Sequence, residues 1–166
     1  MTFLRAILVL LSLSVLASCG SNKFQTYNGP EVTRVVVLKS ARQVQLWHHD
    51  RVLKAYKAGL GFAPEGHKYR EGDGRTPEGT YMIDRRNPKS QFHLSIGVSY
   101  PNLADRKRAD LMGFAPGGDI FIHGRGKTYK PDAPFDWTAG CIAVTDEEIE
   151  EIYAMVKDGT PISILP

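Results

Sequence analysis

A mainly β domain with a few short helices is what this sequence predicts, and three observations predict it. Runs rich in β-branched and aromatic residues recur from Val32 onward, turn residues punctuate them at short intervals, and a helical period shows in only two stretches. The chain has 166 residues, 42% hydrophobic and 23% charged, which is enough for one core and one domain.

Taken in order, "VTRVVVLKS", "QVQLWHH" and "VLKAYKAGLG" are strand-like runs separated by short gaps at residues 39–42 and 49–51, so they predict a meander of hairpins. The stretch "GFAPEGHKYREGDGRTPEGTYMI" crowds glycine and proline into a constrained connection of the kind that supports sites, with Asp73 and Arg75 as its pins. Its "GDGRTPEGTY" lacks the GxxxxGK[ST] spacing and opens no helix, which excludes a phosphate-binding loop. "GTYMID" and "QFHLSIGVSY" alternate as further strands, and "GDIFIHG" is a short apolar strand ending in a histidine. "NLADRKRADLMG" is a helix candidate before it. Thr145 with Glu148 makes a capping box, Ile149, Ile152, Tyr153 and Val156 share one face, and Gly159 supplies a stop, so a helix is predicted over 146–157. "TPISILP" closes the chain as a strand.

The first 31 residues read differently. Arg5 precedes the apolar run "AILVLLSLSVL", too short to span a bilayer, and "ASCG" follows at once. Residues 1–18 are expected to be an export signal, and Leu16, Ala17, Ser18 and Cys19 match the bacterial lipobox pattern, with Cys19 as the lipidated residue. The alternative is an ordinary secretory signal with an incidental cysteine. Residues 19–31 would then be a tether and 32–166 the domain, held in the periplasm. Gly20 in place of an aspartate favours the outer membrane, so membrane contact is expected through the lipid anchor. Net charge is only +3, from 21 basic and 18 acidic side chains, and gives no nucleic-acid footprint.

With Cys19 consumed, Cys141 is the single remaining thiol, and no internal disulfide can form. It lies in "WTAGCIAV", separated by a 17-residue connection from the histidine of "IFIHGRG". A thiol is a strong nucleophile as its thiolate, and a nearby imidazole can take its proton and hold the anion as an ion pair. His123 and Cys141 are therefore expected to pair, with the thiol titrating below its ordinary value. Gly140 would let the N–H groups around Gly140 and Cys141 face a developing oxyanion.

These residues carry a resemblance. His123-Gly124, then Thr138-Ala139-Gly140-Cys141, together with "GDGRTPEGTYMI" and "FHLSIGVSYPN", resemble the L,D-transpeptidase catalytic domain (YkuD-like) family over roughly residues 32–166. The resemblance implies a β-sandwich-like domain and a cysteine acyltransferase acting on peptidoglycan stem peptides. Cys141 would attack the carbonyl of the third residue, expel D-alanine and pass the acyl group to an amine of a second stem or of a lipoprotein, or to water. His123 would shuttle the proton, oriented by a backbone carbonyl near Gly124, and Thr138 would hydrogen-bond within the turn. Many members have a histidine where Ala139 stands and an arginine where Ala143 stands. Arg125 or Lys127 might therefore supply the missing cation, and Trp137 and His93 are further candidates for the cleft wall, as is His67. An L,D-peptidase or amidase, and a non-catalytic peptidoglycan-binding lipoprotein, are the alternatives. No metal is expected, because His48, His49, His67 and His93 form no HExxH or comparable spacing, and no cofactor is implied.

Overall fold

The computed structural model describes residues 22–166. The expected signal and the expected lipidation at Cys19 fall outside the described residues. Eight strands form one continuous sheet in the order β3-β2-β1-β8-β4-β5-β6-β7, with two short helices.

The meander is present as β1 (Arg34–Leu38), β2 (Gln43–His48) and β3 (Arg51–Lys57), antiparallel in sequence order. Period-2 patterning sets their register. Val35 and Val37 of β1 face Leu46 and Val44 of β2 across the ladder, and all four are fully buried. β3 is the edge, with only Tyr56 buried, and its Arg51, Lys54 and Lys57 give it the charged character that discourages pairing with another chain. The closing strand β8 (Pro161–Leu165) lies parallel to β1 and buries Ile162 and Ile164.

The site is positioned by β4 (Gly79–Asn87), which pairs with β8 over residues 79–82, shifts register between Ile83 and Arg85, and then pairs with β5 (Ser95–Val98). The register shift lies within β4, the strand that the two halves of the sheet share. β6 (Phe121–His123) and the two-residue β7 (Ile142–Ala143) complete the second half. The strand expected across "QFHLSIGVSY" is shorter than its alternation suggests, because His93 takes a left-handed φ of 73° and turns the chain just before β5.

Helix α1 (Leu103–Leu111) starts at Asn102, and α2 (Asp146–Met155) starts at Thr145, each with a complete capping box. α2 buries Ile149, Ile152 and Met155 beneath the second half of the sheet. The expected tether is engaged with the domain over its described part. Lys23 Nζ donates to the carbonyls of Pro88 and His93, Gln25 to Glu150, and Phe24 packs against Tyr153.

Candidate active site

β6 ends at His123, and alternation along the strand sends Ile122 into the core while Phe121 and His123 face the other way. The imidazole is 2% exposed. Phe92 stacks on it at 4.5 Å and 27°, and Trp137 meets it edge-on at 5.6 Å. Its Nδ1 lies 2.6 Å from the carbonyl oxygen of Gly124. A carbonyl only accepts, so Nδ1 carries the proton and Nε2 keeps its lone pair. Burial pushes the imidazole below its ordinary pKa, against the opposing pull of the Gly124 carbonyl and Asp146, so at neutral pH the ring is an uncharged base.

The residues after His123 turn onto the start of α2. Asp146 Oδ1 accepts the N–H groups of Arg125 and Gly126, at 2.7 and 2.9 Å. A Cβ on Gly124 would lie 2.5 Å from that same oxygen, which is why glycine follows the histidine.

Cys141 is carried by a turn braced from inside. Thr138 Oγ1 donates to the Cys141 carbonyl at 2.7 Å and accepts the Gly140 N–H at 3.1 Å. The Thr138 N–H donates to the Leu60 carbonyl and its carbonyl accepts from Phe62, while Gly59 and Ala143 exchange both backbone hydrogen bonds, so the turn is stitched to residues 59–62. Gly140 has φ 137°, and a Cβ there would lie 2.7 Å from the Arg75 carbonyl. Its role is close backbone approach. The expected oxyanion function for its N–H is displaced, since Thr138 already takes that hydrogen. Among the described residues the Cys141 N–H has no acceptor, and it is the donor left for an oxyanion.

The Cys141 thiol is partly exposed and donates to the carbonyl of Asp119 at 3.3 Å. Burial pushes its pKa up, with the Phe121 N–H working against this shift. Burial therefore opposes the expected resting ion pair with His123. Desolvation disfavours both charges, and each partner rests neutral.

His123 and Cys141 line one cavity of about 480 Å3, with Ser95, Phe92, Asp119 and Phe121. Cys141 also lines a second cavity of about 380 Å3, walled by Lys68, Glu71, Gly72 and Ala139. Cys141 and Asp119 are thus shared by the linings of both chambers.

The four residues considered as substrate contacts line neither chamber. Arg125 stacks over Tyr129, Lys127 points to solvent, Trp137 packs on His123, and His93 Nε2 pairs with Glu150 at 2.7 Å. Ala143 is buried in the ladder beside Gly59, while Ala139 is exposed in the second chamber. His67 is held between Asp105 and Arg108. Phe92 and Asp119 carry no local sequence signal, since their placement depends on backbone turns at His93 and at Asp119 itself, φ 52°. Among the described residues no three His, Cys, Asp or Glu side chains converge on a metal-sized point.

The model of the L,D-transpeptidase catalytic domain matches residues 32–164. YafK of Escherichia coli (strain K12), whose assignment as an L,D-transpeptidase is itself provisional, is 31% identical over 128 residues, which are 76% of this chain and 44% of YafK. The chain therefore spans less than half the length of that curated relative. Among solved structures, the helical cell shape determining protein Pgp2 of Campylobacter jejuni superposes with a TM-score of 0.63 at 24% identity, over 87% of this chain and 51% of Pgp2. L,D-transpeptidase 1 of Mycobacterium tuberculosis gives 0.52 at 15% identity, over 82% and 62%. At these identities the likeness concerns the fold.

Proposed function

This chain belongs to the L,D-transpeptidase catalytic domain family, and on that premise we propose that it is a cysteine acyltransferase of peptidoglycan stem peptides, with Cys141 as nucleophile and His123 as base. The observation that carries the reading is the Nδ1 contact to Gly124, which leaves Nε2 as the acceptor in the cavity that also holds Cys141. The thiol turns from the Asp119 carbonyl to give its proton to Nε2 as the sulfur attacks the carbonyl carbon of the third stem residue. Charge collects on the carbonyl oxygen, where the Cys141 N–H donates. The intermediate collapses with cleavage of the C–N bond, the imidazolium protonates the departing D-alanine amine, and a thioester remains. An amine from a second stem, or from a lipoprotein, then attacks the thioester and restores the thiol.

Hydrolysis is the second reading, favoured by one observation. The loop carrying Arg125 and Lys127 puts no cation into either chamber, so water competes with an acceptor that this loop does not hold. Product masses from purified protein with defined muropeptides separate the two. Cross-linked or amine-capped product supports transfer, tripeptide alone at saturating acceptor supports the peptidase, and no product together with an unreactive thiol supports a non-catalytic peptidoglycan-binding protein. Anchoring at the outer membrane through lipidated Cys19 is part of the same proposal.

A further inference from the structure

The connection over residues 68–75 separates the second chamber beside Cys141 from a groove of about 440 Å3, and Gly72 lines both. Tyr69, Met112 and Phe114 floor the groove at 37, 49 and 47% exposure, an apolar surface larger than the scattered single side chains that a solvated face carries. Arg70 and Arg75 flank it. The Arg70 guanidinium lies 5.3 Å from the Phe114 ring centroid and that of Arg75 lies 5.8 Å from Tyr69, which fixes both guanidiniums against aromatic faces. Among the described residues neither guanidinium has a carboxylate partner, and Arg75 makes only a long contact, 3.4 Å, to the His67 carbonyl.

The nearest candidate partner, Asp73, is already committed. Its carboxylate accepts Lys68 Nζ at 2.8 Å and the backbone N–H groups of Tyr69, Arg70 and Arg75. These bonds brace the connection and leave both guanidiniums without a carboxylate. Two preorganised, unpaired guanidiniums above an apolar floor complement a chain that carries carboxylates between apolar groups.

We infer that this groove binds a carboxylate-bearing peptide that enters it from the second chamber, with Arg70 and Arg75 gripping the carboxylates. The inference rests on the proposed role of Cys141 only for the direction in which the peptide runs. It replaces the loop of Arg125 and Lys127 with a different cation pair.

The test uses Cys141→Ser protein, in which binding is read without turnover. A synthetic tetrapeptide stem with free carboxylates is titrated calorimetrically beside its carboxamide counterpart. The further changes Arg70→Gln and Arg75→Gln together are expected to weaken binding of the acid about tenfold and to remove its salt dependence, with the amide unaffected. Equal affinity of the two proteins for the acid, or equal affinity of the protein that retains both arginines for acid and amide, overturns the inference. Weakened binding together with absence of turnover in the parent protein upholds the groove and overturns the acyltransferase reading instead. Arginine-dependent binding of phosphatidylglycerol vesicles, with peptide binding unchanged, overturns it in favour of a membrane contact.

Discussion

The ring of Phe92 lies parallel to within 27° of the His123 imidazole at 4.5 Å, and it shields from water the ring whose charge would need water most. Phe92→Ala is expected to let solvent reach the imidazolium. The His123 pKa, depressed by burial, then rises, and the acid limb of the pH–rate profile moves to higher pH. Imidazole proton shifts followed by NMR across a pH series check this without reference to turnover. An unmoved titration would mean that Phe92 is not what desolvates the ring.

The thiol titration follows from its contact with the Asp119 carbonyl. Iodoacetamide alkylation of Cys141 should rise with a midpoint above the ordinary thiol value of about 8.5, because burial raises the thiol. His123→Ala should leave that midpoint high while abolishing turnover, since the base acts during the reaction and holds no resting thiolate. A midpoint well below the ordinary value would restore the ion pair. Cys141→Ser should lose nearly all turnover and keep the fold.

Two glycines make a matched pair for stability. Gly140→Ala puts a Cβ 2.7 Å from the Arg75 carbonyl at φ 137°, so a loss of about 2 kcal/mol and a displaced nucleophile are expected. Gly72→Ala has φ 75° and open space around the new methyl, so only the backbone penalty of about 1 kcal/mol applies. Urea denaturation of both variants reads the difference, and equal losses would contradict the close approach at Gly140.

For the anchor, Cys19→Ser is expected to abolish metabolic labelling with a fatty acid while the domain still folds. Labelling that persists in this variant would place the modification elsewhere.

Legibility in the sequence followed locality. Val35, Val37, Val44 and Leu46 announced their strands by alternation, and Thr145 with Glu148 announced α2, because both signals sit within a few residues. β7 is two residues long and exists through pairing with β6 and Gly59, which no local pattern encodes. His123 and Cys141 were legible as chemistry. Arg125 and Lys127 line neither chamber, because nearness in sequence to His123 says nothing of direction and Asp146 draws the chain after Gly124 onto the start of the helix. Phe92 and Asp119 reach the site through left-handed turns at non-glycine residues, His93 and Asp119, which composition does not reveal.

The bond from Lys23 to the His93 carbonyl has a mechanical consequence. His93 follows Phe92, the wall of the His123 pocket, so the strap leading back toward the N-terminus is tied down at the rim of the cleft. On the proposed lipidation of Cys19, only residues 20–22 remain between the membrane attachment and that tie point, a leash of about 14 Å when fully extended. A domain so moored would have a short working radius and a restricted tilt, and its cleft would reach only what lies next to the membrane.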